Sequence, residues 1–223
     1  MSLEPQRAAG SESSPLPGCF ILSTILIVFG GLVVLYVGVG LYQVSAIRGF
    51  TAEEAAEIAL PEPSEEAVGA ALAKLRELGQ AAAAGRAERF VFDADELNIL
   101  LARLDALEDF HGSARIEGIS EDGITARMAQ PVRRGIVDKG HRYLNGLFVL
   151  SPELRPRTVA FKVIDIRPDL GEAPRRFIES YGALDFFRLN PEIPEINDSI
   201  GAISSVYAED GRLVVETKVG GAD

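Results

Sequence analysis

The stretch FILSTILIVFGGLVVLYVGVGLY, residues 20–42, decides how this chain is organised. No charged side chain interrupts it, and the uncharged region around it runs from residue 18 to residue 47. Roughly 20 apolar residues at 1.5 Å each cross a bilayer core, so a helix over 19–47 is long enough to span with some tilt. In water such a helix would be apolar on every side, and one ordinary domain in a chain of 223 residues has no core large enough to bury it. The rival reading is a secretory signal cut after Ala46, where Val44, Ser45 and Ala46 supply small residues. Against it, secretory apolar regions run ~7–15 residues behind a basic leader, whereas the only basic residue before this run is Arg7. Cys19 precedes the apolar run, so no lipoprotein anchor is inferred.

Outward from the span, the basic flanks tie, Arg7 on one side and Arg48 on the other. The expectation is a single-pass signal-anchor in the inner cell membrane with the C-terminal domain outside the cytoplasm, on the periplasmic side. Residues 1–18, with serines and prolines clustered at 11–17, read as a disordered tail. Residues 48–88 read as a helical juxtamembrane stalk. Thr51 with Glu54 forms a capping-box pattern for a short helix ended by Pro61 and Pro63. Ser64 then caps a second helix, whose stripe is Val68, Leu72, Leu75 and Leu78.

The remaining 89–223 read as one α+β domain. Phe90, Val91 and Phe92 form a short strand, and Asp93 with Glu96 caps a helix whose apolar positions are Leu97, Leu100, Leu101, Leu104 and Leu107. Period-two segments over 113–119 and 124–130 flank the turn Glu121, Asp122, Gly123, and the same turn recurs at Glu209, Asp210, Gly211 between 200–208 and 212–219. Two further strands are expected over 142–150 and 157–166, joined by 151–156, whose two prolines forbid a ladder there. Pro174 opens a helix that buries Phe177, Ile178 and Tyr181 and ends at Gly182. Hairpin-linked strands with helices before and between them predict an antiparallel sheet of about six strands with helices on one face.

Phe90-Val91-Phe92 running into Asp93-Ala94-Asp95-Glu96-Leu97-Asn98-Ile99-Leu100-Leu101, behind an N-terminal span and ahead of antiparallel strands, resembles YpmS-like membrane-anchored bacterial proteins. That resemblance implies a cell-envelope location and a fold related to elongated lipid-binding modules, and it supplies no catalytic residues.

The 22 basic against 33 acidic residues give a net charge of -11, which makes nucleic acid an unsuitable partner. One cysteine and two histidines are too few for a zinc finger, a thiol redox pair or an iron-sulfur site, and no metal or other cofactor is expected. No Gly-x-Ser-x-Gly is present. The alternative of a hydrolase-like envelope enzyme rests on three constellations: Glu192 and Glu195 with Asp198, spaced at three residues, His141 after Asp138, and His111 after Asp109. Acids at a helix start stabilise the macrodipole without chemistry, and solvated loop histidines need no role, so no catalytic residue is assigned.

One region departs from the acidic background. Arg127, Arg133, Arg134, Lys139, Arg142, Arg155 and Arg157 face only Asp138 and Glu153 within residues 127–157. If Arg127, Arg133, Arg134, Arg142, Arg155 and Arg157 converge, their guanidinium groups form a contact surface for anionic headgroups or an acidic partner. The plain reading is that they decorate loops and sheet edges. The sequence therefore predicts a non-enzymatic envelope module that either meets an envelope protein or holds a lipid-like amphiphile. The amphiphile version requires an apolar cleft between sheet and helix. Oligomeric state stays open.

Overall fold

Helix α1 (Leu16–Arg48) carries the apolar run, and in the computed structural model its side chains from Leu22 to Tyr42 lie almost entirely outside any core. It is long and apolar enough to cross a membrane. The structure describes residues 16–60, 62–133, 140–156, 158–184 and 200–220. The tail expected at 1–18 falls outside them apart from its last residues, as do Asp138, Glu192, Glu195 and Asp198.

The stretch after α1 differs from its expectation. Residues 53–60 form neither helix nor strand, and Ala52 instead pairs with Tyr143 in an isolated antiparallel bridge. Thr51 does not cap: its hydroxyl donates to the Ile47 carbonyl at 2.6 Å and accepts from the Arg142 guanidinium at 2.8 Å. A tertiary partner has outcompeted the local pattern.

Helix α2 (Glu65–Ala83) is capped by Ser64, whose side chain accepts from the Ala67 amide. Ala71, Leu78, Ala81 and Ala82 are buried and the helix packs on α3 (Ala94–Arg103), so the domain covers the apolar side of this segment. Lys74 links three elements: its ammonium donates to the Val91 carbonyl at 3.0 Å, pairs with Glu96 and lies 5.4 Å from the Phe92 ring centroid. Helix α3 starts as its sequence predicts, with the reciprocal Asp93 and Glu96 capping box formed. It stops at Arg103, so Leu107 belongs to a following 3-10 segment, Asp105–Phe110, that is kinked at Leu107.

Among the described residues, seven strands form two antiparallel sheets rather than one sheet of about six. Strands β2 (Ala114–Ser120), β3 (Gly123–Arg133), β4 (His141–Arg155) and β5 (Thr158–Pro168) make a four-stranded meander in that order. Strand β1 (Arg89–Phe92) pairs with β7 (Arg212–Thr217), which pairs with β6 (Ile203–Glu209). Alternation fixes which face of each strand is buried and leaves open which edges meet. Here the β6–β7 hairpin joins β1 across most of the domain, while helix α4 (Arg175–Gly182) packs on β5. Gly182 is required there, since a Cβ would lie 2.3 Å from the Val163 carbonyl oxygen.

Strand β4 is also longer than expected, and Pro152 sits within its ladder opposite Phe161. Beyond Leu150 this strand has β5 on one side and no β3 residue on the other, so the missing proline N–H costs no ladder bond. The core lies between the inner face of the large sheet, the small sheet and helices α2, α3 and α4, with Leu144 and Phe148 of β4 fully buried at its centre.

Candidate functional site

The inner face of β3 presents Ile124, Ala126 and Met128, each 3% exposed and spaced by two as the pleat requires. Ala126 stands between Ile116 on β2 and Phe148 on β4, and Ala114 stands opposite Met128. These two alanines leave room that larger residues would fill. Opposite them, β7 contributes Leu213 and Val215 and β1 contributes Phe92, while α3 closes one side with Leu97, Leu100 and Leu101. The result is an apolar cavity of about 260 Å3. Leu104, Leu107 and Phe110, in and beside the 3-10 segment, are half-exposed parts of its wall, as are Leu75 on α2, Leu97 and Leu101 on α3, Phe161 on β5 and Val206 on β6.

Among the described residues, the only charged one along this wall is Arg115. It lies between Ala114 and Ile116, both inward, so alternation turns it to the outer face of the sheet, where it stands across from Arg127. Among the described residues no buried side-chain nitrogen or oxygen lacks a hydrogen-bond partner. The cavity therefore offers contact area and no recognition of polar groups.

A second arrangement ties the end of α1 to the sheet. Arg142, 8% exposed at the start of β4, donates through Nε and Nη2 to the hydroxyl and carbonyl of Thr51, and through Nη1 to Glu53 at 3.2 Å. Asn145 donates to the Glu54 carbonyl and accepts from the Ala56 amide, each at 3.0 Å. Phe50 is buried with its ring 4.8 Å from that of Phe177, which stacks on Tyr181 at 5.7 Å, and Tyr181 reaches Phe148 at 6.1 Å. Gly171, at φ +57°, backs onto Gly49 so closely that a Cβ would lie 2.3 Å from its carbonyl oxygen. Burial pushes the Tyr181 phenol up to about 12.

The arginines singled out from sequence do not share one surface among the described residues. Arg127 points outward and is held by Glu117 at 2.9 Å and Asp169 at 3.0 Å, which raise its pKa further. Arg142 points inward to Thr51, and Arg155 pairs with Glu153 at 2.7 Å. Arg142 and Arg155 stand at opposite ends of β4, roughly 40 Å apart at about 3.3 Å per residue. Arg133 pairs through its backbone with His141, while its side chain, with Arg134 and Arg157, lies outside the described residues.

A polar cluster on the small sheet is also internally paired. Ser205 and Tyr207 donate to the Glu216 carboxylate at 2.6 and 2.9 Å and hold its pKa below the usual carboxylate range, while Arg89 lies 3.9 Å away. The two hydroxyl donors and the nearby guanidinium favour the charged form of this carboxylate, which suits a structural anion. His111 is exposed beside the 3-10 segment, and His141 is exposed at the start of β4. Among the described residues no group of three or more His, Cys, Asp or Glu side chains could hold a metal ion.

Sequence reasoning named an apolar cleft between sheet and helix as one expectation but not the residues that line it, and it missed the Arg142 clasp and Asn98. The last is a buried polar residue inside the apolar stretch of α3, and it both donates to and accepts from the Ile116 backbone, at 2.8 and 2.7 Å. An asparagine between Leu97 and Ile99 was the available signal. No protein-family profile, curated protein or solved structure matches this chain.

Proposed function

We propose that this protein is a single-pass, membrane-anchored module of the cell envelope whose domain stands outside the cytoplasm and binds the apolar part of an amphiphile without chemical conversion. The observation that carries the reading is the apolar cavity of about 260 Å3 between the two sheets and the helices. A sealed, empty cavity of that size would cost about 6 kcal/mol at ~24 cal/mol per Å3, an upper bound because parts of its wall are half-exposed. Filling even part of such a void is a sizeable gain beside domain stabilities of roughly 5–15 kcal/mol. The envelope setting draws on α1 and on the resemblance of residues 90–101 to YpmS-like proteins.

Two measurements test this. The full chain in phospholipid nanodiscs is incubated with a total envelope lipid extract, recovered, and its bound molecules identified by mass spectrometry. Retention of an apolar molecule, lost in Ala126→Phe, is expected, and a chain that retains nothing beyond disc lipid defeats the reading. Protease added to intact spheroplasts should digest the region beyond Arg48, and full protection would put the domain in the cytoplasm.

A further inference from the structure

We propose that the cavity takes a single alkyl chain of about ten carbons, from an amphiphile whose head emerges past the acidic 3-10 segment, is not anionic and stays in water. The inference rests on the amphiphile-binding reading above and names its ligand class. Size is the first argument. At roughly 30 Å3 for a small group, the share of one water in the liquid, about 260 Å3 accommodates on the order of nine methylene-sized groups. A two-chain lipid needs several times that space.

The wall is the second argument. Both sheets and α3 present apolar side chains, and Arg115 is turned to the opposite face. A hydroxyl, ester or phosphate carried inside would find no partner and would lose its water. A plain hydrocarbon chain loses nothing by entering. Charge is the third. The 3-10 segment, whose half-exposed Leu107 and Phe110 line one part of the wall, carries Asp105, Glu108 and Asp109 on its exposed side, and this is the rim past which the head is inferred to emerge. Arg103, one turn earlier, offsets only part of that, and the whole chain is at -11. A carboxylate or phosphate head at this rim is repelled, and a neutral or cationic head is not.

The test uses the full chain in phosphatidylcholine nanodiscs and a decyl-trimethylammonium probe bearing a diazirine at its chain end. After irradiation, peptide mapping separates labelling of residues 94–128 from labelling of α1 by probe dissolved in the disc. Unlabelled alkyl-trimethylammonium competitors of six to sixteen carbons, and the matching carboxylates, are referred to their free aqueous concentrations. We expect labelling within 94–128 despite the two-chain lipid present throughout. Competition should strengthen about fourfold per added methylene and level off near ten carbons. Decanoate should compete at least tenfold more weakly than its cationic counterpart, and Ala126→Phe should abolish the labelling. Affinity that keeps rising to sixteen carbons, or a carboxylate that competes equally, overturns this inference and leaves amphiphile binding intact. Absence of labelling in 94–128 with every probe length overturns both. The competitor series on the unsubstituted chain decides the matter even where Ala126→Phe does not fold.

Discussion

Replacing Arg142 by methionine should release the foot of α1 from the domain. The guanidinium makes two buried, charge-assisted bonds to Thr51, a residue only 1% exposed. Such bonds are worth roughly 1.5–3 kcal/mol each, and removal also leaves the Thr51 carbonyl without a donor. The third contact adds little, because Glu53 is 77% exposed. Against these losses, the variant is spared the desolvation of a buried charge, which costs several kcal/mol per ion. The balance is a destabilisation of about 2–4 kcal/mol. Thr51→Val removes only the hydroxyl, and the Arg142→Met/Thr51→Val cycle should show a coupling of about 1 kcal/mol or more. Trypsin reads the event directly, since Arg48 lies three residues before Thr51. In nanodiscs the full chain should be cut slowly at Arg48, and Arg142→Met should raise that rate by about tenfold or more while the denaturation midpoint falls. An unchanged cleavage rate with a stability loss under about 0.5 kcal/mol would refute the reasoning, because the clasp would then carry no load.

Three further outcomes are expected. Asn98→Ala strips both partners from the Ile116 backbone at the edge strand β2, costing about 2–3 kcal/mol and speeding hydrogen exchange at the Ile116 amide; an unchanged exchange rate would contradict it. Asp93→Ala should cost about 1 kcal/mol by removing the cap of α3, and a circular-dichroism melt that superimposes on the parent would tell against it. Because burial raises the Tyr181 phenol to about 12, its neutral form is favoured in the folded state. Its contribution is therefore complete below pH 10 and is lost as pH rises from 10 to about 12, by about 2–3 kcal/mol. Tyr181→Phe should flatten stability against pH in that window, and parallel curves for both proteins would count against the assignment.

Two similar sequence patterns show what was legible and what was not. Asp93 with Glu96 and Thr51 with Glu54 both spell a capping box, yet only the first forms one. The signal lies within four residues in both cases, but Thr51 has a distant competitor in Arg142, and Ala52 has one in Tyr143. Local chemistry likewise placed the Glu-Asp-Gly hairpin turns and the helix behind Pro174, which the structure contains. The division into two sheets was not readable, because the pairing of Phe90 with Val215 leaves no trace in the neighbourhood of either residue. The lining of the expected cleft was hidden for a related reason: Ala114 and Ala126 look like ordinary strand positions until the facing helix and sheet are in place. The arginines were visible as a composition shift, while their distribution over opposite faces and ends of long strands depended on register.

The junction of α1 with the sheet has a mechanical consequence. Gly49 is pressed against Gly171, Phe50 is sunk beside Phe177 and Thr51 is held by Arg142, so no slack chain separates anchor from domain. The two act as a mast and its fitting. Leu150, on the cavity wall, stands about 26 Å along β4 from Arg142 at roughly 3.3 Å per residue. Were α1 to span a bilayer, as proposed above, a further tilt of 10° would swing that point through about 5 Å, and bilayer thickness would then govern where the cavity is held.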